Sequence, residues 1–129
     1  MKISGIDHVV LTVKDIDVTV KFYESVMGMT KEAFGDGRIA LKFGDQKINL
    51  HEYGNEFEPK AKIPTPGSED LCFITAIDLE KSIFHIKSNG VEIIEGPIEK
   101  IGAKGKMRSI YFRDPDGNLI EVSNYAKHT

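Results

Sequence analysis

The sequence predicts an α+β fold of two tandem βαβββ modules that form one curved, cup-shaped mixed sheet, with the helices on its outer face. Three observations predict it: a long internal repeat, a helical period flanked by strand-like runs in each half, and a proline-rich break between the halves. The repeat is direct. Ile16, Val20 and Tyr23 recur as Leu79, Ile83 and Ile86 at a shift of 63, and His8 recurs as Asp70 at a shift of 62. Phe43-Gly44-Asp45 recurs as Phe112-Arg113-Asp114, and Asn49-Leu50 as Asn118-Leu119, both at a shift of 69.

Module 1, residues 1–54, opens with the apolar run Gly5-Ile6-Asp7-His8-Val9-Val10-Leu11-Thr12-Val13. A helix follows, with Ile16, Val20, Tyr23 and Met27 on one face, Asp15 or Asp17 as its cap and Gly28 at its end. Strands are expected at 31–34, 38–43 and 47–53, separated by turns at Gly35-Asp36-Gly37 and Gly44-Asp45. Residues 55–67 form a linker whose Pro59, Pro64 and Pro66 predict an extended surface segment. Module 2, residues 68–129, begins with a strand at Asp70 and continues into a helix ending at Asn89-Gly90. Strands are then expected at 91–94, 106–112 and 118–123, the last two joined by the turn Asp114-Pro115-Asp116-Gly117.

Composition narrows the function. The chain has 129 residues, 40% hydrophobic and 29% charged, with a net charge of −3, which is a globular and mildly acidic profile. General binding to nucleic acid or anionic lipid needs a basic footprint and is not expected. No apolar run is long enough for a bilayer, and the first residues lack a signal-peptide core, so a cytoplasmic protein is expected. Cys72 is the only cysteine, which rules out an internal disulfide or a thiolate metal cage. It reads as a buried small hydrophobe.

Two modules side by side would enclose a concave cleft. His8, His51, Asp70 and Glu121, from four strands, are mixed N/O donors for one divalent ion per chain, with Zn, Ni, Mn, Fe or Co as candidates. Each alone also fits a hydrogen-bonded strand histidine or a solvated carboxylate. Their coincidence across the repeat favours the metal. Lys47 and Asn49 alternate with Ile48 and Leu50, which places them on the cleft side as substrate contacts. Gly102-Ala103-Lys104-Gly105-Lys106, with Arg108, reads either as a basic lid over an anionic substrate or as an ordinary hairpin loop. His85 and His128 need no role.

The whole chain resembles the vicinal oxygen chelate superfamily of glyoxalases, bleomycin-resistance and fosfomycin-resistance proteins and extradiol dioxygenases. The matching segments are Gly5-Ile6-Asp7-His8-Val9-Val10-Leu11, Phe22-Tyr23 to Met27-Gly28-Met29, and Tyr111-Phe112-Arg113-Asp114-Pro115-Asp116-Gly117-Asn118-Leu119-Ile120-Glu121. Phe43 to Glu52 is similar to a virulence-associated glyoxalase-domain subgroup. The resemblance implies metal ligands on the first and last strands, at His8 and Glu121. Asp70 stands where many members have histidine. On the fourth ligand strand, the repeat alignment pairs Glu52 with Glu121, whereas strand alternation favours His51. The implied activity is glyoxalase-like isomerase or lyase chemistry on a thiol conjugate, with Glu121, or Glu52, moving a proton; dioxygenation is less favoured. A non-catalytic binder of the bleomycin-resistance kind is the alternative. A homodimer is expected, with a small molecule as the other partner.

Overall fold

The computed structural model describes residues 1–126, so His128 lies outside the described residues. The elements in chain order are β1 (His8–Val13), α1 (Ile16–Ser25), β2 (Thr30–Phe34), β3 (Arg38–Phe43), β4 (Gln46–Glu52), β5 (Asp70–Ile74), α2 (Leu79–Ser88), β6 (Glu95–Gly102), β7 (Gly105–Arg113) and β8 (Leu119–Tyr125). They fall into two compact units, Met1–Gly67 and the chain from Ser68 onward. Each unit is a βαβββ module. Its first and last strands run parallel, and its other pairs are antiparallel.

The strand orders are β1-β4-β3-β2 and β5-β8-β7-β6. Each module thus forms a four-stranded mixed sheet in which its first strand pairs along one edge only, with the last strand of the same unit.

In the first unit, Asp15 caps α1 by accepting from the Val18 backbone N–H at 3.1 Å, and Gly28 follows the helix in the left-handed region. Val20 and Tyr23 of α1 are buried, as are Leu11, Val13, Leu41, Ile48 and Leu50 of the sheet. These apolar side chains form the layer that α1 covers. In the second unit, Leu79 and Ile86 of α2 are buried together with Ile110, Phe112 and Ile120. Asp78 caps α2, and Asn124 fixes its approach by accepting from the Leu79 N–H at 2.9 Å and donating to the Thr75 and Ile77 carbonyls.

Residues 91–94 are not the strand expected. The paired strand starts at Glu95 and is irregular between Glu95 and Ile98, where Gly96-Pro97 interrupts the ladder. Gly96 is required there: its φ is 106°, and an added Cβ would collide with the Ser109 carbonyl oxygen. The Asp114–Asn118 turn is self-contained. The Asp114 carboxylate accepts from the Asp116 and Asn118 N–H groups and from the Asn118 side chain, whose oxygen accepts from the Glu69 N–H at 2.8 Å. This turn sets the start of β5.

Candidate functional site

Because Ile48 and Leu50 turn toward α1, Lys47, Asn49 and His51 project from the helix-free face of the first sheet. Their β1 partners in register are His8, Val10 and Thr12. His8 is exposed, and its Nδ1 lies 2.8 Å from Asp7 Oδ1. A carboxylate on one ring nitrogen fixes the tautomer and leaves Nε2 as the free donor atom, the usual preparation of a histidine for a metal or a proton.

His51 does not join His8. In the β1–β4 ladder His8 pairs with Lys47 and Thr12 with His51, so the two imidazoles stand four residues apart along the face. That is about 13 Å, too far for ligands that each approach an ion to about 2 Å. His51 is only 3% exposed, and its Nε2 lies 3.4 Å from the Arg38 guanidinium. Arginine offers donors only, so Nε2 is the acceptor. Burial, then the Arg38 charge, holds the His51 pKa below its usual 6.5. Glu52 shares the parity of Ile48 and Leu50, pairs with buried Val13 and lies on the helix side of the sheet. Neither fourth-strand candidate read from the sequence is therefore a partner of His8.

The register identifies a different residue. Asn49 lies one diagonal step from His8, since it pairs with Val10. In the second unit Asp70 pairs with Leu119 and Cys72 with Glu121, so Glu121 lies one diagonal step from Asp70. Asn49 is thus the counterpart of Glu121, and His51 that of Ser123. The sequence shift of 69 misled because Asn118 is a turn residue outside β8, whereas Asn49 lies inside β4. Asn49 is 5% exposed, and its amide oxygen is buried without a hydrogen-bond partner.

The helix-free face of the second sheet carries a hydrogen-bonded row. Ser123 Oγ donates to Glu121 Oε2 at 3.3 Å, with Ser109 Oγ at 2.6 Å and Cys72 Sγ at 3.4 Å from the same hydroxyl. One proton order satisfies all three contacts: Ser109 and Cys72 donate to Ser123, which donates to Glu121. Tyr111 lies directly across the ladder from Glu121. Burial, then the Glu121 charge and hydrogen bonding to its carboxylate, pushes the Tyr111 pKa up to about 12. The Lys100 ammonium stands 5.6 Å from the Tyr111 ring centroid.

Cys72 is exposed on this face rather than buried, because Leu71 and Phe73 take the helix side of β5. Desolvation raises its pKa despite that exposure, and the Glu121 charge adds to the rise. The segment read as either a basic lid or an ordinary hairpin loop is a tight hairpin. Gly102 pairs with Gly105, leaving Ala103-Lys104 as a two-residue turn, and the Lys104 N–H donates to the Tyr125 hydroxyl at 3.0 Å. An added Cβ on Gly102 would meet that hydroxyl at 2.6 Å. Lys106 and Arg108 have the opposite parity to Ser109 and Tyr111, and Arg108 pairs with Glu80 of α2 at 2.8 Å. The sequence did not single out Arg38, Phe34, Phe57, Ser123 or Tyr111 for this site. The first three come from two strands and the linker, with no local motif.

Among the described residues, no three or more His, Cys, Asp and Glu side chains are gathered as a metal cage. No helix of the described residues is long and apolar enough to cross a membrane. A sequence profile described as the glyoxalase/bleomycin resistance protein/dioxygenase superfamily matches residues 5–122. The chain is 56% identical over 126 residues to virulence protein STM3117 of Salmonella typhimurium, covering 98% of this chain and 88% of that protein. It is 29% identical over 122 residues to the metallothiol transferase FosB of Staphylococcus epidermidis, covering 95% and 82%. Among solved structures, a protein from the mobile metagenome of V. Pseudocholerae superposes with a TM-score of 0.97 at 61% identity, covering 98% of each chain.

Proposed function

Since the chain belongs to the glyoxalase/bleomycin resistance/dioxygenase superfamily, we propose that it is a metal-dependent, glyoxalase-like enzyme that isomerises or cleaves a small oxygen-chelating substrate such as a thiol conjugate. The observation that carries this reading is the oriented Glu121 carboxylate. It is buried, held by Ser123 and faced by Tyr111. A lone structural carboxylate needs no such row.

The donor chemistry fits a divalent ion. In the first unit the free Nε2 of His8 and the partnerless amide oxygen of Asn49, and in the second the carboxylates of Asp70 and Glu121, are nitrogen and oxygen donors of the hardness that Zn, Ni, Mn, Fe or Co accept. When bound, such an ion supplies Lewis-acid stabilisation of negative charge on substrate oxygens. Glu121 takes a proton from the substrate and returns it, with the Ser123 hydroxyl keeping one of its oxygens in place. Tyr111 keeps its proton across the physiological range, so it serves as a neutral donor toward developing charge. The same reading includes a cytoplasmic setting and a homodimer, the latter because β1, β2, β5 and β6 each leave one strand edge unpaired within their sheets.

The test is direct. Chelator-treated protein is reloaded with each of the five metals and assayed against hemithioacetals formed from several thiols. Activity that returns with metal and disappears in Glu121→Gln supports the reading. Stoichiometric binding without product, whichever metal is present, would instead mark a non-catalytic binder.

A further inference from the structure

The helix-free face of the first unit carries Arg38, Lys42 and Lys47, the last two paired in register, and Arg38 and Lys47 meet aromatic rings with no carboxylate paired to either. The Arg38 guanidinium lies 5.2 Å from the Phe34 ring centroid and 4.9 Å from that of Phe57, and the Lys47 ammonium lies 3.7 Å from the Phe34 centroid. Both cations therefore converge on one ring. Among the described residues neither forms an ion pair. Glu56 and Glu58, which act on nearby His51, are themselves within 4 Å of Lys60, at 3.9 and 3.2 Å. Glu32 shares the face through its pairing with Ala40 but reaches neither cation as an ion pair.

An aromatic face attracts a cation through its quadrupole and orients it without cancelling its charge. His51 adds to the orientation, since its Nε2 accepts from Arg38 at 3.4 Å while carrying no compensating negative charge. Two like charges brought to one ring repel unless an anion joins them. Phe57 comes from the linker, where an extended surface segment is expected; instead its ring packs edge-on against His51 at 5.7 Å. The linker is thus part of the site.

We infer that Arg38 and Lys47, held on Phe34 and Phe57, form a binding site for the carboxylate of a small organic acid. Lys47 is the register partner of His8, so the anion site continues along the same face toward His8. This deepens the proposed function by giving the substrate an anionic end, yet it stands on the first unit alone and needs neither metal nor turnover.

The experiment uses the full chain in chelator, which separates it from any failure of the metal reading. Benzoate, its neutral isostere benzamide, and inorganic phosphate are titrated by two-dimensional amide NMR. Benzoate is expected to bind in the millimolar range, at least tenfold more tightly than benzamide, and to shift the amides of Phe34, Arg38 and Phe57. Lys47→Met and Arg38→Met should each weaken it at least tenfold, and added salt should weaken it in the wild type. Because Arg38→Met leaves His51 without its partner, Lys47→Met decides the matter if the first variant is unfolded. Equal binding of benzoate and benzamide, or unchanged benzoate affinity in folded Lys47→Met, overturns the inference. Phosphate binding more tightly than benzoate overturns the assignment to carboxylates.

Discussion

The two units place unlike chemistry at like positions. On the second sheet, the diagonal pair is Asp70 and Glu121, two carboxylates; on the first it is His8 and Asn49, both neutral when the imidazole is unprotonated. The residue opposite Glu121 is Tyr111, whereas the residue opposite Asn49 is Ala40. Glu121 is tied into a row of hydroxyls, while the Asn49 oxygen is buried with no partner. One backbone plan, used twice, thus supplies a negative face and a face dominated by cations. The lesson is that the ladder fixes which positions share a face, and the side chains then set the charge that face carries.

Breaking the acidic side should have the largest effect. Glu121→Ala is expected to lower divalent-metal affinity on the order of a hundredfold, as read by elemental analysis after dialysis against limiting metal. Full occupancy in that variant would remove Glu121 from the ligand set. The complementary change makes the first unit resemble the second. Asn49→Asp introduces a carboxylate at the counterpart of Glu121 and should raise affinity for Mn²⁺ about tenfold. The same variant should melt lower than wild type in chelator, because an unpaired buried charge is costly. An Asn49→Asp melting temperature indifferent to Mn²⁺ would show that register equivalence carries no metal-binding consequence.

How much of this was legible in the sequence depended on what each signal encodes. The repeat was readable because apolar residues at helical and alternating spacing must face a core, and the side chains of Val20, Tyr23, Ile48 and Leu50 do so. β6 was hidden because Gly96-Pro97 and the charges of Glu95, Glu99 and Lys100 mask a strand whose pairing is set by β7. Of the two fourth-strand readings, Glu52 comes from matching across a turn, whereas His51 comes from strand alternation, which gives the face but not the position along it. Matching Asn49 to Asn118 aligns a strand residue with a turn residue, and only the ladder shows the true counterpart. Arg38 and Phe57 carry no motif, since the contact joins residues distant in sequence through a ring face.

Smaller changes sharpen the contrast. Ser123→Ala should destabilise the second unit by about 1–3 kcal/mol in urea melts, because the Ser109 hydroxyl loses its partner in a buried place. The equivalent first-unit position is His51, where the effect is one of pH. Its pKa lies below 6.5 in the folded chain, so the unfolded chain binds the proton more readily. Its contribution to stability is complete above pH 6.5 and falls as pH drops toward the folded value. Chemical-shift titration of the His51 ring should give a midpoint below 6.5 that rises in Arg38→Met. A midpoint at or above 6.5 in the wild type would contradict the buried, arginine-facing imidazole.

The parallel pairing of first with last strand also governs the order in which the protein is made. β5 has no hydrogen-bonding neighbour in its sheet until β8 exists, and the Glu69 amide awaits the side chain of Asn118, 49 residues later. On a ribosome the first unit completes its sheet when β4 emerges, while most of the second is still unmade. A nascent second unit halted before β8 exposes an unpaired β5 and, once β7 is made, one open edge of β7. A stop codon between β5 and β8 should therefore yield a finished first unit joined to an aggregation-prone remnant, which quality-control proteases would remove.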